Sequence, residues 1–140
     1  MLKPISIACI VDDDNIYCFG LQRMMQIKKF AEKILVFNEA PKALDFLTKV
    51  LNLPDELPNV ILLDINMPIM DGWQFIDEFV KISPRFGRKI IVYMVSSSIN
   101  DRDIQHAKQY SEISDYVVKP IVPERLEDLL QQYYADLAQI

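Results

Sequence analysis

The chain has 140 residues, a formal net charge of -5 and an apolar fraction of 51%, the composition of one globular domain with a real core. Its acidity argues against direct nucleic-acid binding, and no apolar run reaches the roughly 18 residues that would indicate a membrane span. Two cysteines, Cys9 and Cys18, suggest no disulfide framework, and the N-terminus does not resemble a signal peptide. We therefore expect a cytoplasmic protein.

Apolar strand patterns alternate with helical patterns along the whole chain. The predicted strands are Ile5–Val11, Lys33–Phe37, Asn59–Leu63, Lys89–Val95 and Asp115–Val118. Three of them are nearly continuous apolar runs, which is typical of parallel strands buried on both faces. The alternation predicts an α/β fold with a parallel sheet, helices on both faces and right-handed crossovers. We find neither a repeat nor a linker, so we expect one domain over residues 1–140.

The helices carry apolar residues at helical spacing. Asn38 is the predicted N-cap of the second helix. The third helix is expected to start near Asp71 and to end before Ser83–Pro84, because proline disfavours helix in the residue before it. The fourth, over about 101–110, has a thin apolar stripe, so we expect it to pack least firmly. Pro123 opens the last helix.

Polar residues follow four of the five strands. The first strand runs into Asp12 and Asp13, the third into Asp64, the fourth into Ser96 and the last into Lys119. Ligands of parallel α/β sheets bind beyond the carboxyl ends of the strands, so we expect these side chains to converge. Together they are suited to Mg²⁺-assisted transfer of a phosphoryl group to a carboxylate.

The acidic residues are the part of this set with the clearest chemistry. Three carboxylates in one pocket repel one another unless a cation lies among them, and Mg²⁺ binds through one or two carboxylates, waters and phosphate oxygens. Asp14 or Asn15 can cap the first helix, which leaves Asp12 and Asp13 for another role. Asp64 is free to attack phosphorus as a nucleophile, because the next helix starts several residues later.

The hydroxyl and the lysine complete the set. Lys119 can neutralise charge on phosphoryl oxygens, and Pro120 holds it at the strand end. Ser96 offers a hydroxyl donor. Taken singly, each has an ordinary interpretation as a surface lysine or a polar turn residue. His106, in the weak fourth helix, is expected to be an ordinary, partly exposed residue.

Four segments carry these residues in a combined pattern: Val11–Asp13, Leu63–Gly72, Val95–Ser97 and Tyr116–Pro120. In order and spacing they resemble the motifs of the receiver domain of bacterial response regulators, from about residue 5 to residue 137. The combination is far more specific than any one segment. The resemblance implies a flavodoxin-like, doubly wound five-stranded sheet of order 2-1-3-4-5 with five helices.

The resemblance also assigns roles in phosphoryl transfer and switching. It implies that Asp64 is the phospho-acceptor and that Ser96 and Lys119 hold the phosphoryl oxygens. Tyr116 matches the aromatic residue whose rotamer couples to phosphorylation in the family. Ser96 and Tyr116 are therefore the expected switch residues.

A magnesium site is implied in the same way. Asp13 is expected to bind Mg²⁺ directly and Asp12 mainly through water. Asn66 would offer its backbone carbonyl, and Asp64 would complete the protein ligands. Asn66 and Ser98 flank the phosphate position and are expected to tune hydrolysis.

The leading hypothesis is a single-domain response regulator without an output domain. It would accept a phosphoryl group from a sensor histidine kinase or a histidine phosphotransfer protein and catalyse only its own phosphorylation and dephosphorylation. Its output would reach a downstream protein, or a second copy of the chain, through the face formed by the fourth helix, last strand and last helix.

Two alternatives stay open. A Mg²⁺-dependent phosphohydrolase with an aspartyl nucleophile is one, but the segment Asp64–Asn66 lacks a second carboxylate for general acid/base work. A scaffold receiver that acts without phosphorylation is the other, but it would not need the complete acid, hydroxyl and lysine set.

One segment departs from the family pattern. Receivers often carry Gly-Ala shortly before the last strand, whereas this chain has Tyr110–Asp115 there. We therefore expect a different turn into the last strand and consider a longer fourth helix.

Overall fold

The computed structural model describes residues 2–139, which form a parallel sheet between two layers of helices. The strands are β1 Ile5–Val11, β2 Ala31–Phe37, β3 Val60–Asp64, β4 Ile91–Ser96 and β5 Ile113–Val118. The α-helices are α1 Asn15–Ile27, α2 Ala40–Lys49, α3 Gly72–Ile82, α4 Asp101–Ala107 and α5 Pro123–Leu137. The strand order is β2-β1-β3-β4-β5 and all neighbours are parallel, which confirms the predicted fold class and order.

Two apolar cores, one on each face of the sheet, hold these layers together. Helices α1 and α5 pack on one face, where Ile10 and Tyr93 of the sheet are fully buried. Helices α2, α3 and α4 pack on the other, where Phe75 and Phe79 fill the core. Every residue of β3 and β4 is buried, as continuous apolar strands predict. None of the helices within residues 2–139 combines the length and apolarity needed to cross a bilayer.

Strand boundaries differ from the sequence expectation by one or two residues. Strand β2 starts at Ala31 and β5 at Ile113, in each case two residues early. Strands β3 and β4 are displaced toward their carboxyl ends, so that Asp64 and Ser96 are the last residues of their strands. Both side chains are therefore held by the hydrogen-bonded sheet rather than by the loops that follow it.

Helix α3 begins and ends as the sequence indicates, whereas α2 does not. Asp71 caps α3 in a capping box with Gln74, and the helix ends at Ile82, before proline. The expected cap at Asn38 is wrong, because Glu39 is the N-cap residue of α2 and makes no side-chain cap bond. Pro41, the second residue of the helix, has no N–H, which removes one of the two donors that a cap side chain could bind.

Helix α4 is shorter than expected. It has 7 residues and ends at Ala107, its one buried residue, so both the expected end at Tyr110 and the longer helix are wrong. The Tyr110 hydroxyl donates to Asp77 of α3 at 2.6 Å, and the Tyr110 carbonyl accepts from the Ile113 N–H at 3.2 Å. These bonds turn the chain out of the helix and into β5.

Aromatic rings fasten α4 to α3. The ring of His106 stacks on Trp73, with centroids 3.8 Å apart and planes 20° apart. Tyr110 continues the stack, 5.5 Å from His106 between centroids. His106 is half-buried by this contact, in line with its expected partial exposure.

The entry into β5 contains a β-bulge. Ile113 pairs with Val92 and Asp115 with Tyr93, so Ser114 is an extra residue in the strand. Such a bulge adds twist and bends a strand locally. The departure from Gly-Ala is therefore accommodated within the sheet, and not by a longer helix.

Gly72 fixes how closely α3 approaches the end of β3. A Cβ on Gly72 would lie 2.6 Å from the carbonyl oxygen of Asp64 and 3.0 Å from Cα of Ile65. The Gly72 N–H also donates to the Ile65 carbonyl at 2.8 Å. Only a residue without a side chain allows this approach of two main chains.

We expect Gly72→Ala to lower the free energy of unfolding by about 1–3 kcal/mol, because the main chain at Asp64 must move. Gly20→Ala is the matched control, since a Cβ on Gly20, within α1, would meet nothing within 4 Å. That control should gain about 0.5–1 kcal/mol from helix propensity. Urea unfolding measures both, and equal effects would contradict the close approach as a constraint.

Candidate functional site

Three carboxylates meet at the carboxyl ends of β1 and β3. One side-chain oxygen each from Asp12, Asp13 and Asp64 lies within 4.8 Å of the others. Asp12 is 2% exposed and Asp64 6% exposed, whereas Asp13 is exposed. The predicted convergence of the three acids is therefore observed, in a pocket with one open side.

Lys119 supplies the positive charge of this pocket. Its Nζ lies 2.7 Å from Oδ2 of Asp12 and 3.3 Å from Oδ1 of Asp64. Its backbone N–H donates to the Ser96 carbonyl at 2.8 Å, and the peptide bond to Pro120 is cis. The lysine predicted to lie at the site thus bridges two of the three acids.

Burial and crowding change the acidity of these groups. Burial, and then the charge of Asp12, raise the pKa of Asp64 to about 6, against the opposing effect of Lys119. Burial alone would lower the pKa of Lys119, but its hydrogen bonds and ion pairs with Asp12 and Asp64 raise it. The lysine is therefore charged at neutral pH, whereas burial and the charge of Asp12 disfavour the ionised form of Asp64.

The two predicted switch residues meet at the backbone of Ser98. Ser96 is fully buried, and its Oγ accepts from the Ser98 N–H at 3.1 Å. The Tyr116 hydroxyl donates to the Ser98 carbonyl at 2.8 Å. One residue of the β4–α4 loop therefore connects the hydroxyl at the pocket with the aromatic ring on β5.

The loop after Asp64 alternates buried and exposed residues and contains a strained main chain at Ile69. Asn66 is exposed, and its role as a backbone-carbonyl ligand stays a prediction. Ile69 has a φ of 71°, and the Met70 N–H donates to the Pro68 carbonyl at 2.7 Å, which closes a tight turn. A positive φ is unusual for a β-branched residue, so the backbone at Ile69 is strained, five residues after Asp64.

A hard divalent cation fits the donor set. The pocket offers carboxylate oxygens from Asp12, Asp13 and Asp64, the ligands that Mg²⁺ prefers, and one exposed side on which waters would remain. The like charges that raise the pKa of Asp64 are those that a cation would neutralise. These three residues would hold the ion.

Sequence reasoning missed Tyr17 and Cys18, both in the first turns of α1. The Tyr17 ring lies under the Lys119 ammonium, with Nζ 4.3 Å from the ring centroid. Cys18 Sγ lies 3.5 Å from the Asp12 carbonyl oxygen, and burial raises the pKa of its thiol to about 12, so it is unreactive. The available signal was the Asp14 cap, which places both residues beside the pocket.

The raised pKa of Asp64 predicts a specific pH dependence of stability in metal-free buffer. The ordinary value is 3.8 and the folded value about 6, so the folded state holds this proton more tightly than the unfolded state. Stability contributed by the protonated form is complete below pH about 4 and is lost as pH rises through about 6. Asp64→Asn removes this loss and should be more stable than the wild type at pH 7.5.

Urea unfolding with a chelator, from pH 4.5 to 7.5, measures this difference. The advantage of Asp64→Asn should grow with pH over that window. Asp45→Asn, on the exposed face of α2, is the control and should show a constant difference from the wild type. A pH-independent difference between Asp64→Asn and the wild type would contradict the raised pKa of Asp64.

Comparison with known proteins gives a consistent result. The response regulator receiver domain family matches residues 8–131. The probable methanogenesis regulatory protein FilR2 of Methanothrix harundinacea is 27% identical over 126 residues, covering 90% of this chain and 79% of FilR2. An uncharacterised 14.6 kDa protein of Leptolyngbya boryana is 31% identical over 124 residues, covering 89% of this chain and 86% of that protein.

Solved structures agree with the sequence relatives. A two-component response regulator from Cytophaga hutchinsonii has a TM-score of 0.86 and 28% identity, covering 95% of this chain and 99% of that one. The Vibrio cholerae chemotaxis protein CheY4 shares the fold, with a TM-score of 0.75, 22% identity, and coverage of 92% and 98%. The family match spans most of the chain and includes each of the strand-end residues described above. The chain therefore belongs to the response regulator receiver domain family, a family of two-component signalling modules.

Proposed function

We propose that this receiver accepts a phosphoryl group on Asp64 in a Mg²⁺-dependent reaction, and that the phosphorylated form changes its binding to other proteins. The observation that carries the proposal is the convergence of Asp12, Asp13 and Asp64 with Lys119 at one edge of the sheet. Membership of the receiver family supports the same function.

The residues of the pocket divide the reaction between them. An Asp64 carboxylate oxygen forms a bond to phosphorus, and the bond from phosphorus to the donor's imidazole nitrogen breaks. Lys119 places its ammonium where charge collects on the phosphoryl oxygens, and Ser96 offers them a hydroxyl. When bound by Asp12, Asp13 and Asp64, Mg²⁺ would supply the remaining positive charge.

We infer that the phosphodonor is a protein, a sensor histidine kinase or a histidine phosphotransfer protein. Large apolar side chains are exposed in the segments that follow β1, β3 and β4: Ile16 at 87%, Ile69 at 79% and Ile99 at 79%, with Phe19 at 67% further along α1. Several large exposed apolar side chains in segments that leave the site end of the sheet are typical of a surface that binds another protein. A small donor such as acetyl phosphate would not need them.

The connection through Ser98 supports a route from phosphorylation to output. A phosphoryl group on Asp64 would draw the Ser96 hydroxyl by a charge-assisted hydrogen bond. That movement takes Oγ away from the Ser98 N–H and disturbs the loop carbonyl to which Tyr116 is bonded. The Tyr116 side chain, no longer held by that carbonyl, would then favour a different rotamer. Phosphorylation would thus shift an existing equilibrium between two rotamers of Tyr116.

The responding surface in this proposal is the face made by α4, β5 and α5. It would bind a downstream protein or a second copy of the chain. A single-domain protein over residues 1–140 and a cytoplasmic location stay predictions. No observation favours the phosphohydrolase or the phosphorylation-independent scaffold over this function.

Labelling with acetyl phosphate tests the phospho-acceptor. The wild type should take up one phosphoryl group, only with Mg²⁺, and Asp64→Asn should take up none because it lacks the nucleophilic oxygen. Lys119→Met should label roughly a hundredfold more slowly, because the transition-state charge loses its cation. Intact-mass spectrometry measures uptake, and peptide mapping locates it.

The exposed Asp45→Asn variant is the matched control for one lost carboxylate, and should label like the wild type. Label that persists in Asp64→Asn would mean that another residue is the acceptor. Wild-type protein that takes up no label with Mg²⁺, while folded, would overturn the proposal and favour the scaffold.

Amide exchange with and without beryllofluoride tests the switch. Exchange should change in the Ser98 loop, in α4 and around Tyr116, as well as in the pocket. Tyr116→Phe removes the bond to the Ser98 carbonyl and should raise loop exchange about two- to tenfold without the phosphoryl mimic. Changes limited to the pocket would rule out this coupling.

A further inference from the structure

Lys119 is held from three directions, and one of them is an aromatic face. Two of its contacts are with the carboxylates of Asp12 and Asp64, at 2.7 and 3.3 Å. The third is with Tyr17, whose ring centroid lies 4.3 Å from Nζ. This distance is well within the roughly 6 Å over which a cation is attracted to a ring face. The Lys119 side chain is 17% exposed, so solvent screens the contact only in part.

The position of the Tyr17 ring is set by the start of α1. The backbone N–H of Tyr17 donates to Oδ1 of Asp14 at 3.0 Å, which places Tyr17 in the first turn. The ring packs on the core between α1, α5 and the sheet. Its hydroxyl is buried and forms no hydrogen bond with any group of residues 2–139. Helix cap and core packing therefore hold the ring, and the hydroxyl is not what anchors it.

The aromatic contact differs in kind from the two ion pairs. The carboxylates of Asp12 and Asp64 are also the groups that would bind the metal and the phosphoryl group, so their hold on the ammonium changes during the reaction. The face of Tyr17 is neither a metal ligand nor a nucleophile, so its attraction persists throughout.

We propose that Tyr17 is a positioning residue for phosphoryl transfer, which holds the Lys119 ammonium at the pocket while Asp12 and Asp64 are engaged by metal and phosphoryl group. This inference rests on the proposed function of Asp64. Its ring, and not its hydroxyl, carries the effect. Loss of the ring allows the lysine to leave the phosphoryl position, so the reaction slows while the acids remain in place.

Three variants separate the ring from the hydroxyl and from general packing. Tyr17→Phe keeps the aromatic face, and Tyr17→Leu keeps an apolar side chain without it. Tyr134→Leu removes a half-buried tyrosine of α5 that packs on the same core and whose hydroxyl donates to the Lys3 carbonyl, so it is the control for general packing. With acetyl phosphate and Mg²⁺, Tyr17→Leu should label about three- to thirtyfold more slowly than the wild type. Tyr17→Phe and Tyr134→Leu should label within about twofold of it.

A double-mutant cycle then shows whether Tyr17 acts through Lys119. In a Lys119→Met background, adding Tyr17→Leu should produce almost no further loss of labelling rate. A full further loss would overturn the proposal, because Tyr17 would then act independently of the lysine. Equal losses in Tyr17→Phe and Tyr17→Leu, or no loss in Tyr17→Leu, would also overturn it.

A nuclear magnetic resonance readout keeps the inference separate from the proposed function. Because Nζ of Lys119 lies over the ring, 4.3 Å from its centroid, the signals of the methylene protons next to Nζ should be displaced upfield by the ring current in unphosphorylated protein. The displacement should persist in Tyr17→Phe and vanish in Tyr17→Leu. Its absence in the wild type would refute the contact even if Asp64 is labelled. Its presence in a protein that takes up no label would establish the contact but refute the proposed function, and with it the positioning role.

Discussion

The ion pairs of Lys119 with Asp12 and Asp64 are the interaction on which the site depends. Ionised carboxylates this close, with two of them buried, would repel one another strongly without a cation. Lys119 brings one charge to three acids, which is enough to hold the pocket together but leaves Asp64 with a raised pKa. The pocket therefore has a net negative charge at this edge of the sheet, and a bound divalent cation would neutralise it.

The parallel sheet concentrates this charge and also passes its effects outward. Asp64 and Ser96 are the final residues of adjacent buried strands, so neither can move without disturbing strand ends. Gly72 brings α3 against the main chain of Asp64, and Ser98 links the β4 hydroxyl to Tyr116. Helix α3 and the β4–α4 loop both lie outside the pocket, and each is therefore connected to it by direct contacts.

The strand-end residues were predictable because parallel topology leaves little choice about where the carboxyl ends of the strands meet. Local signals also predicted the start of the third helix near Asp71 and its end before Ser83–Pro84. The end of α4 was not predictable, because it depends on a hydrogen bond from Tyr110 to Asp77, a contact between different helices. The contact of Tyr17 with Lys119 was missed for the same reason: it joins α1 to the end of β5, and no periodicity encodes it.

The stacking of Trp73 on His106 has a practical consequence for spectroscopy. The chain contains one tryptophan and one histidine, and these two rings lie 3.8 Å apart. Indole fluorescence and imidazole proton signals therefore each come from a single place in the molecule, and both report on the same contact. That contact joins α3, whose first residue touches the main chain of Asp64, to α4. The fluorescence of Trp73 and the proton signals of His106 can therefore both report on the contact between α3 and α4 without an introduced label.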